Sequence, residues 1–194
     1  MDVMAANILM TRVDNRLVHG QVGVTWTRAV KANLIVVAND DAANDELQQK
    51  LMATTADSSG ADIRFFTIEK TINVINKAAD RQHIFLVVKT PGDLLKLVEG
   101  GVPVNKVNVG NMHFAQGKRE ITKKVYVDDQ DVHDLLAVAH QGIEIFIQDY
   151  PGEKQYPITE QLLKWHLVSV KEMILTPNFM TMSLNMLSNL NIRV

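Results

Sequence analysis

Cysteine is absent from the 194 residues of the chain, and this absence narrows the chemistry that the protein can use. Without thiols the chain forms no disulfide, binds no metal through thiolates and offers no thiol nucleophile. A chain without cysteine suits a reducing compartment, so we expect a cytoplasmic protein.

The signals of several other protein classes are also missing. The 20 basic residues are nearly balanced by 22 acidic ones and are scattered, so we expect no nucleic-acid partner. No apolar run is long and pure enough to insert in a membrane, and the first ten residues lack the basic start of a signal peptide. No G-x-x-x-x-G-K-[ST] motif is present, which argues against a P-loop.

Short β-type runs alternate with helical stretches along the chain. Several of the runs are almost continuously apolar, as in parallel strands buried on both faces. The predicted strands are 7–12, 33–39, 62–68, 83–89, 106–111, 123–128 and 143–149. The predicted helices lie near 20–31, 43–57, 69–79, 91–99 and 129–141. The alternation predicts an α/β fold, a mostly parallel, doubly wound sheet of about seven strands with helices on both faces.

Local signals refine this prediction at two places. The short gap between residues 111 and 123 indicates a loop or hairpin, so we expect one antiparallel edge pair. In the helix near 43–57, Asn44 is the expected N-cap, and Leu47, Leu51 and Met52 form the expected apolar stripe.

The composition changes after Pro157. We expect one domain over residues 1–157 and a C-terminal extension over residues 158–194. The extension is rich in Met, Asn, Ser and Leu and carries no charge from Leu175 to Ile192. It is interpreted as a helical arm docked on the domain, as a segment that forms a homo-oligomer, or as a partly disordered tail.

The loop after the first predicted strand, TRVDNRLVHGQVG, concentrates charged and polar side chains. These are Arg12, Asp14, Arg16 and His19. In an open parallel sheet such a loop lies at the carboxyl edge, where ligands bind. The helix expected to begin at Gly20 and Gln21 would present unpaired backbone N–H groups there, together with the positive end of its dipole.

These residue types fit phosphoryl transfer through histidine. A neutral imidazole is the nucleophile, and an ordinary pKa of about 6.5 leaves His19 mostly neutral at cytosolic pH. Arg12 and Arg16 each supply a planar fork for the peripheral oxygens of the transferring group. Asp14 can hold one of the arginines or fix the tautomer of the ring, and no metal is required. From the residues alone, a structural ion-pair network explains the cluster equally well.

Polar residues follow three other predicted strands at the same edge. The candidate lining residues are Asn39 and Asp40 after the second strand, Lys89 at the end of the fourth and Asn111 after the fifth. The alternatives are an Asx turn with a helix cap for Asn39 and Asp40, and a plain strand-end lysine for Lys89. Gly110 indicates a close approach to the backbone. His113 is interpreted as a solvated loop histidine rather than a second phosphoacceptor.

The motif RVDNRLVHGQV resembles the phosphorylation-site motif of the IIB subunits in the mannose/sorbose class of bacterial sugar phosphotransferase systems. Further stretches resemble the family in the same order, over about residues 5–150. They are NLIVVANDDAANDELQQKLM, IRFFTIEKTINVI, LVVKTP, KLVEGGVPVNKVNVGNMHFAQGK and VYVDDQDV. Within the family the chain is most similar to subunits specific for N-acetylgalactosamine or galactosamine.

The resemblance implies a phosphoryl relay that uses no cofactor. A IIA protein, charged through the phosphocarrier protein and ultimately phosphoenolpyruvate, would phosphorylate His19 on Nδ1. His19 would pass the group to the 6-hydroxyl of a sugar held by the membrane IIC/IID complex. The resemblance also implies that Arg16 steadies the transferred group and that Arg12 and Asp14 shape the loop. Family members have a doubly wound sheet, and they end near the position of Pro157.

Two other functions stay open on the sequence. In one, the chain is a non-catalytic module whose arginines bind an anionic metabolite. In the other, it is a regulatory or scaffolding subunit that has kept the loop and uses its C-terminal extension to bind a partner.

Overall fold

The computed structural model describes residues 5–159 and 162–163. The strands in this part of the chain are β1 (Ile8–Asp14), β2 (Leu34–Ala38), β3 (Asp62–Phe66), β4 (Ile84–Val88), β5 (Lys106–Asn111), β6 (Arg119–Thr122), β7 (Val125–Val127), β8 (Glu144–Ile147) and β9 (Tyr156–Pro157). The α-helices are α1 (Thr27–Val30), α2 (Asp40–Ala43), α3 (Glu46–Asp57), α4 (Ile68–Val74), α5 (Pro91–Glu99) and α6 (Asp129–Ala139). A π-helical segment, Gln21–Trp26, runs directly into α1, and a 3-10 turn, Ile75–Lys77, follows α4.

Seven of these strands form one sheet in the order β3-β2-β4-β1-β5-β8-β9. Every pairing in it is parallel except that of β9, which runs antiparallel to β8 at the edge. The predicted α/β class, the strand number and the antiparallel edge pair are confirmed.

The seventh strand is not the one that the sequence predicts. Residues 123–128 do not join the main sheet; β6 and β7 form a separate antiparallel hairpin, and β9 completes the sheet instead. In β7 only Val125 and Val127 are buried, while Tyr126 between them is partly exposed. This alternation suits a hairpin packed on one face, whereas parallel strands are apolar on both faces.

Apolar side chains pack on both faces of the sheet. Every residue of β2 and β4 is buried, which accounts for their continuously apolar sequences. On one face the core includes residues of α4, α5 and α6; on the other it includes residues of the π-helical segment and α3. The helices therefore cover both faces, as the sequence predicts.

Helix α3 corrects two expectations. Its N-cap is Asp45, whose side chain accepts a hydrogen bond of 2.9 Å from the Gln48 N–H, and not Asn44. Leu47 and Leu51 are 70% and 66% exposed, so of the expected stripe only Met52 is buried. The helix packs through Met52 and Ala56, four residues apart, which turns the two leucines to solvent. Periodicity alone does not show which stripe is buried, because Leu47 and Leu51 are four residues apart and so are Met52 and Ala56.

The core continues past residue 157, where the change in composition predicts a domain boundary. Ile158, Leu162 and Leu163 are buried in the core that includes residues of α4, α5 and α6. The Leu162 N–H is bonded to the Thr159 hydroxyl at 3.2 Å. The rest of the expected C-terminal extension, and with it the predicted helical arm, self-association segment or disordered tail, lies outside the described residues. The described residues include no helix with the length and apolar character of a membrane span.

The chain leaves β1 and β5 toward opposite faces of the sheet. Leu17 and Val22, after β1, are buried in one core, and Met112 and Ile121, after β5, are buried in the other. Because β1 and β5 are neighbours, a crevice opens between their carboxyl ends.

Candidate functional site

A cleft of about 500 Å³ lies over the carboxyl ends of β1, β5 and β8. It is lined by Arg12, Asp14, Arg16, His19, Gly20, Asn111, His113, Phe114, Lys123, Lys124, Tyr126, Asp149 and Tyr150. The four charged or polar side chains of the loop motif are thus brought together, with Gly20 and Asn111 beside them. Gln21, which follows Gly20 in the chain, begins the π-helical segment.

Three of the predicted lining residues are elsewhere. Asn39 caps α2 through a 3.0 Å bond from the Ala42 N–H, and the Asp40 carboxylate accepts the first amide of α4 at 2.8 Å. Lys89 pairs with Asp41 at 3.1 Å. Asn39 thus forms the helix cap named as its alternative, whereas the bond of Asp40 to α4 and the ion pair of Lys89 were not among the alternatives. Strand β4 separates β2 from β1, so residues that follow β2 are two strands away from the loop.

The side chain of Arg12 is buried, with 2% of the residue exposed. Its Nε and Nη2 both donate to Asp14 Oδ2, at 3.2 and 2.9 Å. Its Nη1 donates to Asn108 Oδ1 and, at 3.4 Å, to the Gln148 carbonyl. Burial lowers the pKa of Arg12, and the Asp14 carboxylate opposes that shift. The donors of this guanidinium are largely occupied within the protein.

Two residues, Trp26 and Gly110, shape the space that holds the Arg12 guanidinium. The indole of Trp26 lies against the guanidinium, with the Arg12 carbon 5.1 Å from the ring centroid. A Cβ atom at Gly110 would overlap the guanidinium. The close approach predicted from Gly110 is therefore the approach of Arg12.

Asp14, which is fully buried, connects this arginine to the loop. Its Oδ1 accepts the Arg16 N–H at 3.0 Å, and its carbonyl accepts the Leu17 N–H at 2.9 Å. Leu17 adopts a positive φ of 54°, a conformation that costs a side-chain-bearing residue roughly 1–2 kcal/mol. Of the two roles considered for Asp14, holding an arginine is the one that its geometry supports, because Oδ1 lies 4.0 Å from His19 Nδ1.

His19 is partly buried and lines the cleft. Its Nδ1 lies 3.1 Å from the Leu17 carbonyl, and its own carbonyl accepts the Gly23 N–H at 2.8 Å. Burial lowers the pKa of His19; Asp14 and the Leu17 carbonyl oppose this, and the two arginines add to it. The ring therefore stays neutral to a lower pH than a free histidine.

The guanidinium of Arg16 contrasts with that of Arg12. Arg16 is exposed, and within residues 5–159 and 162–163 its side chain makes no hydrogen bond and no ion pair. Its five donors remain available to an anion in the cleft.

Seven lining residues were not expected from the sequence. They are His113, Phe114, Lys123, Lys124, Tyr126, Asp149 and Tyr150. Asp149 ends the predicted strand 143–149, so the rule that ligands lie beyond strand ends could have found it and Tyr150. The lysines come from a hairpin that folds over the cleft, and no local pattern signals that fold. His113, interpreted as solvated, lies with Nε2 2.8 Å from Asn111 Nδ2.

No group of three His, Cys, Asp or Glu side chains in the described part of the chain is placed to hold a metal ion. The chemistry at hand is that of one neutral imidazole, one free guanidinium and the backbone amides that precede a helical segment. Such a cleft, at the switch point of a doubly wound sheet, defines an α/β protein with room and donors for an anionic group beside an imidazole.

Comparison with known proteins identifies the family. Residues 8–173 match the family of sorbose-subfamily IIB components of the phosphotransferase system (PTS), and the chain belongs to this family. The chain is 60% identical to N-acetylgalactosamine-specific phosphotransferase enzyme IIB component 1 of Escherichia coli K12, over 79% of this chain and 98% of that protein. It is 34% identical to the mannose-specific EIIAB component of the same strain, over 80% of this chain and 48% of that protein.

Solved structures agree with this membership. The crystal structure of the N-acetylgalactosamine-specific IIB component 1 from Escherichia coli superposes with a TM-score of 0.77 at 61% identity, over 79% of this chain and all of that one. An N-acetylgalactosamine IIB component from Streptococcus pyogenes gives a TM-score of 0.74 at 39% identity, over 80% and 96% of the two chains.

Proposed function

We propose that this protein is the phosphocarrier of an amino-sugar phosphotransferase system and works in the cytoplasm. It accepts a phosphoryl group on His19 from a phosphorylated IIA protein. It then passes the group to the 6-hydroxyl of a sugar held by a membrane IIC/IID complex. The sugar is N-acetylgalactosamine or galactosamine, a choice supported by the 60% identity to an N-acetylgalactosamine-specific relative.

One observation carries the proposal: His19 and the Arg16 guanidinium, which has no partner among the described residues, open onto the same cleft. The nucleophile needs a free lone pair, and the lowered pKa of His19 keeps the ring neutral. The fork of Arg16 can meet the peripheral oxygens of the transferring group. The backbone amides of Gly20 and Gln21, at the start of the helical segment, are further donors.

Arg12 and Asp14 act differently, as positioning residues. Both are buried and bonded to each other. Through the Arg16 and Leu17 amides, Asp14 sets the turn that carries His19.

The relay consists of two displacements at phosphorus. In the first, a ring nitrogen of His19 forms a bond to phosphorus while the bond between phosphorus and the donor breaks. In the second, the sugar 6-oxygen forms the new bond, the bond to His19 breaks, and the hydroxyl proton leaves to a base or to water. The imidazole returns to its neutral state, so no cofactor is consumed.

The family resemblance implies Nδ1 as the accepting nitrogen, and this choice has a structural consequence. In the unphosphorylated protein Nδ1 faces the Leu17 carbonyl at 3.1 Å. A phosphorylated Nδ1 carries no proton, and its phosphoryl oxygens would repel that carbonyl oxygen. We infer that the ring turns about its Cβ–Cγ bond before Nδ1 attacks phosphorus, with its proton on Nε2, which exchanges the positions of the two edges.

A labelled transfer assay tests the function. The chain is charged by a phosphorylated IIA protein and then mixed with membranes carrying the matching transporter and a panel of amino sugars. We expect an acid-labile, base-stable phosphate on the protein, its passage to N-acetylgalactosamine or galactosamine, and loss of both in His19→Ala. A chain that binds anions but never becomes labelled would be a binding module. Labelled protein with no labelled sugar would contradict the acceptor half of the proposal.

A further inference from the structure

An aromatic cluster stands at the rim of the cleft, on the side formed by the β6–β7 hairpin. Phe114, in the loop after β5, is 69% exposed. Its ring meets the ring of Tyr126 edge to face, with centroids 5.6 Å apart and an interplanar angle of 81°. Tyr150 lines the same cleft and has Lys124 5.3 Å from its ring centroid. A single exposed apolar residue is ordinary, but three aromatic rings around one cleft are typical of a protein interface.

The charge of the cleft is opposite to that of the whole chain. The chain carries a formal net charge of −2. The cleft is lined by four arginine and lysine side chains and by two carboxylates. Each carboxylate forms an ion pair with one cation, Asp14 with Arg12 and Asp149 with Lys124. The other two cations have no carboxylate partner among the lining residues.

The two remaining cations are Arg16 and Lys123. Lys123 is exposed on the turn between β6 and β7, and its side chain makes no ion pair or hydrogen bond within the described residues. Most other cations near the hairpin are neutralised: Lys118 contacts Asp128 and Asp131, and Arg119 contacts Asp129 at 2.6 Å. Lys123 is therefore a positive charge beside the cleft that nothing in this part of the protein satisfies.

We propose that Phe114, Tyr126 and Lys123 form a docking surface for the phosphorylated donor protein. This proposal rests on the proposed function. The occupant is a protein whose exposed phosphohistidine is surrounded by apolar surface: the phosphoryl group reaches Arg16, the charge of Lys123 attracts the donor from the edge of the cleft, and the apolar surround covers the Phe114 ring. Aromatic side chains at a rim of this kind give large contact area at low entropic cost.

Charge favours the donor over the membrane acceptor as the occupant of this surface. The donor arrives with a phosphoryl group of about −1.5 to −2 charges, which complements the surplus positive charge of the cleft. After transfer that charge sits on His19, and the surplus is cancelled. The attraction that recruits the donor thus ends with the transfer, which favours departure of the discharged donor. The acceptor meets a cleft that is already neutralised.

Two variants with matched controls test the docking surface. Phe114→Ala removes the exposed ring, and Lys123→Gln removes the unpaired charge. Leu47→Ala, at an equally exposed apolar residue of α3 that does not line the cleft, controls for the first. Lys77→Gln, at an exposed lysine of the 3-10 turn after α4 that does not line the cleft, controls for the second.

The donor step is measured with the full chain, a phosphorylated IIA protein at varied concentration, and salt from low to high. We expect each rim variant to raise the KM for the donor by about five- to tenfold and to leave the rate at saturation nearly unchanged. Lys123→Gln is expected to flatten the salt dependence of kcat/KM, whereas Phe114→Ala keeps it. Both control variants are expected to behave as the wild type.

Two parallel measurements separate docking from chemistry. Phosphoramidate, a small donor that phosphorylates histidine without protein contact, is expected to charge His19 equally in the rim variants and in the wild type. Pre-charged rim variants are expected to pass phosphate to sugar at the wild-type rate. Wild-type kinetics with the IIA protein in both variants would overturn the docking surface alone. A defect confined to the sugar step would assign the surface to the membrane acceptor instead. Failure of every donor to label His19 would overturn the proposed function itself.

Discussion

Arg12 and Arg16 belong to one short motif and lie four residues apart, yet their surroundings are opposite. Arg12 is buried at the end of β1 and bonded to Asp14 and Asn108. Arg16 is exposed on the following loop, and its guanidinium has no partner in the described part of the chain. The same side chain thus fixes the site in one position and stays available to a ligand in the other.

The two arginines are therefore suited to different roles, one structural and one in binding an anion. A buried guanidinium with its carboxylate holds a loop rigidly, because breaking the pair leaves an uncompensated charge. An exposed, unpaired guanidinium contributes little to stability, so its fork can be used for a transient anion. Charge composition alone does not distinguish these roles; burial and partners do.

The strongest test of the contrast makes the same substitution at both positions. Arg12→Met leaves the fully buried Asp14 without its cation, so we expect the free energy of unfolding to fall by about 3–5 kcal/mol. Arg16→Met is expected to change it by no more than about 0.5 kcal/mol. Urea denaturation followed by circular dichroism gives both values. Equal losses in the free energy of unfolding at the two positions would contradict the different roles of the two arginines.

A second substitution disturbs the buried pair without removing a charge. In Gly110→Ala the new methyl group occupies the space of the Arg12 guanidinium, so the arginine and the loop held by Asp14 must shift. We expect lower stability, by about 1–3 kcal/mol, and slower phosphoryl acceptance by His19. Gly20→Ala is the comparison for stability, because a Cβ there meets nothing within 4 Å. A Gly110→Ala protein with wild-type stability would mean that the packing around Arg12 is loose.

The exposed arginine is tested by a change that preserves its charge. Arg16→Lys keeps a cation in the cleft but loses the planar fork, so we expect transfer to and from His19 to slow by about 100-fold with unchanged stability. Single-turnover transfer from a IIA protein measures the rate, and thermal unfolding serves as the control. Wild-type transfer in this variant would remove Arg16 from the mechanism.

The smallest expected effect is on pH dependence. Because burial lowers the pKa of His19 below its ordinary value of about 6.5, acceptance of the phosphoryl group should begin to fall at a lower pH than it would for an ordinary histidine. The unfolded chain binds the proton more readily, so the His19 contribution to stability is lost as the pH falls below about 6.5.

Arg16→Gln removes one of the cations that depress the pKa of His19, so the ring should titrate at a higher pH in that variant. Titration of the ring by NMR compares the two proteins. A wild-type midpoint above 6.5 would contradict the burial of the ring as the structure has it.

Much of the fold could be predicted because its central strands have an unambiguous pattern. β2 and β4 are buried throughout and read as apolar runs, and the helices between them fix a parallel sheet. The hairpin could not be separated from a sheet strand, since Val125 and Val127 give the same short β-type pattern in either place. The exposed Leu47 shows that helical periodicity does not say which of two stripes faces the core.

The loop residues of the site were predictable because they are contiguous in sequence. Which arginine is buried was not, because that depends on Gly110 and Asn108, about 100 residues further along the chain. Asn39 and Lys89 were predicted at the correct edge of the sheet, but strand order decides which of the strand ends meet. Here β2 lies beyond β4, and the Lys89 side chain turns to Asp41.

The most direct test of the account is NMR of the charged, nitrogen-15-labelled protein, in which coupling between nitrogen and phosphorus identifies the phosphorylated atom. We predict one phosphoryl group, coupled to Nδ1 of His19. Coupling to Nε2 would contradict the inferred turn of the ring and leave the relay intact. A coupling to any other side chain, or none after exposure to a competent donor, would contradict the central claim.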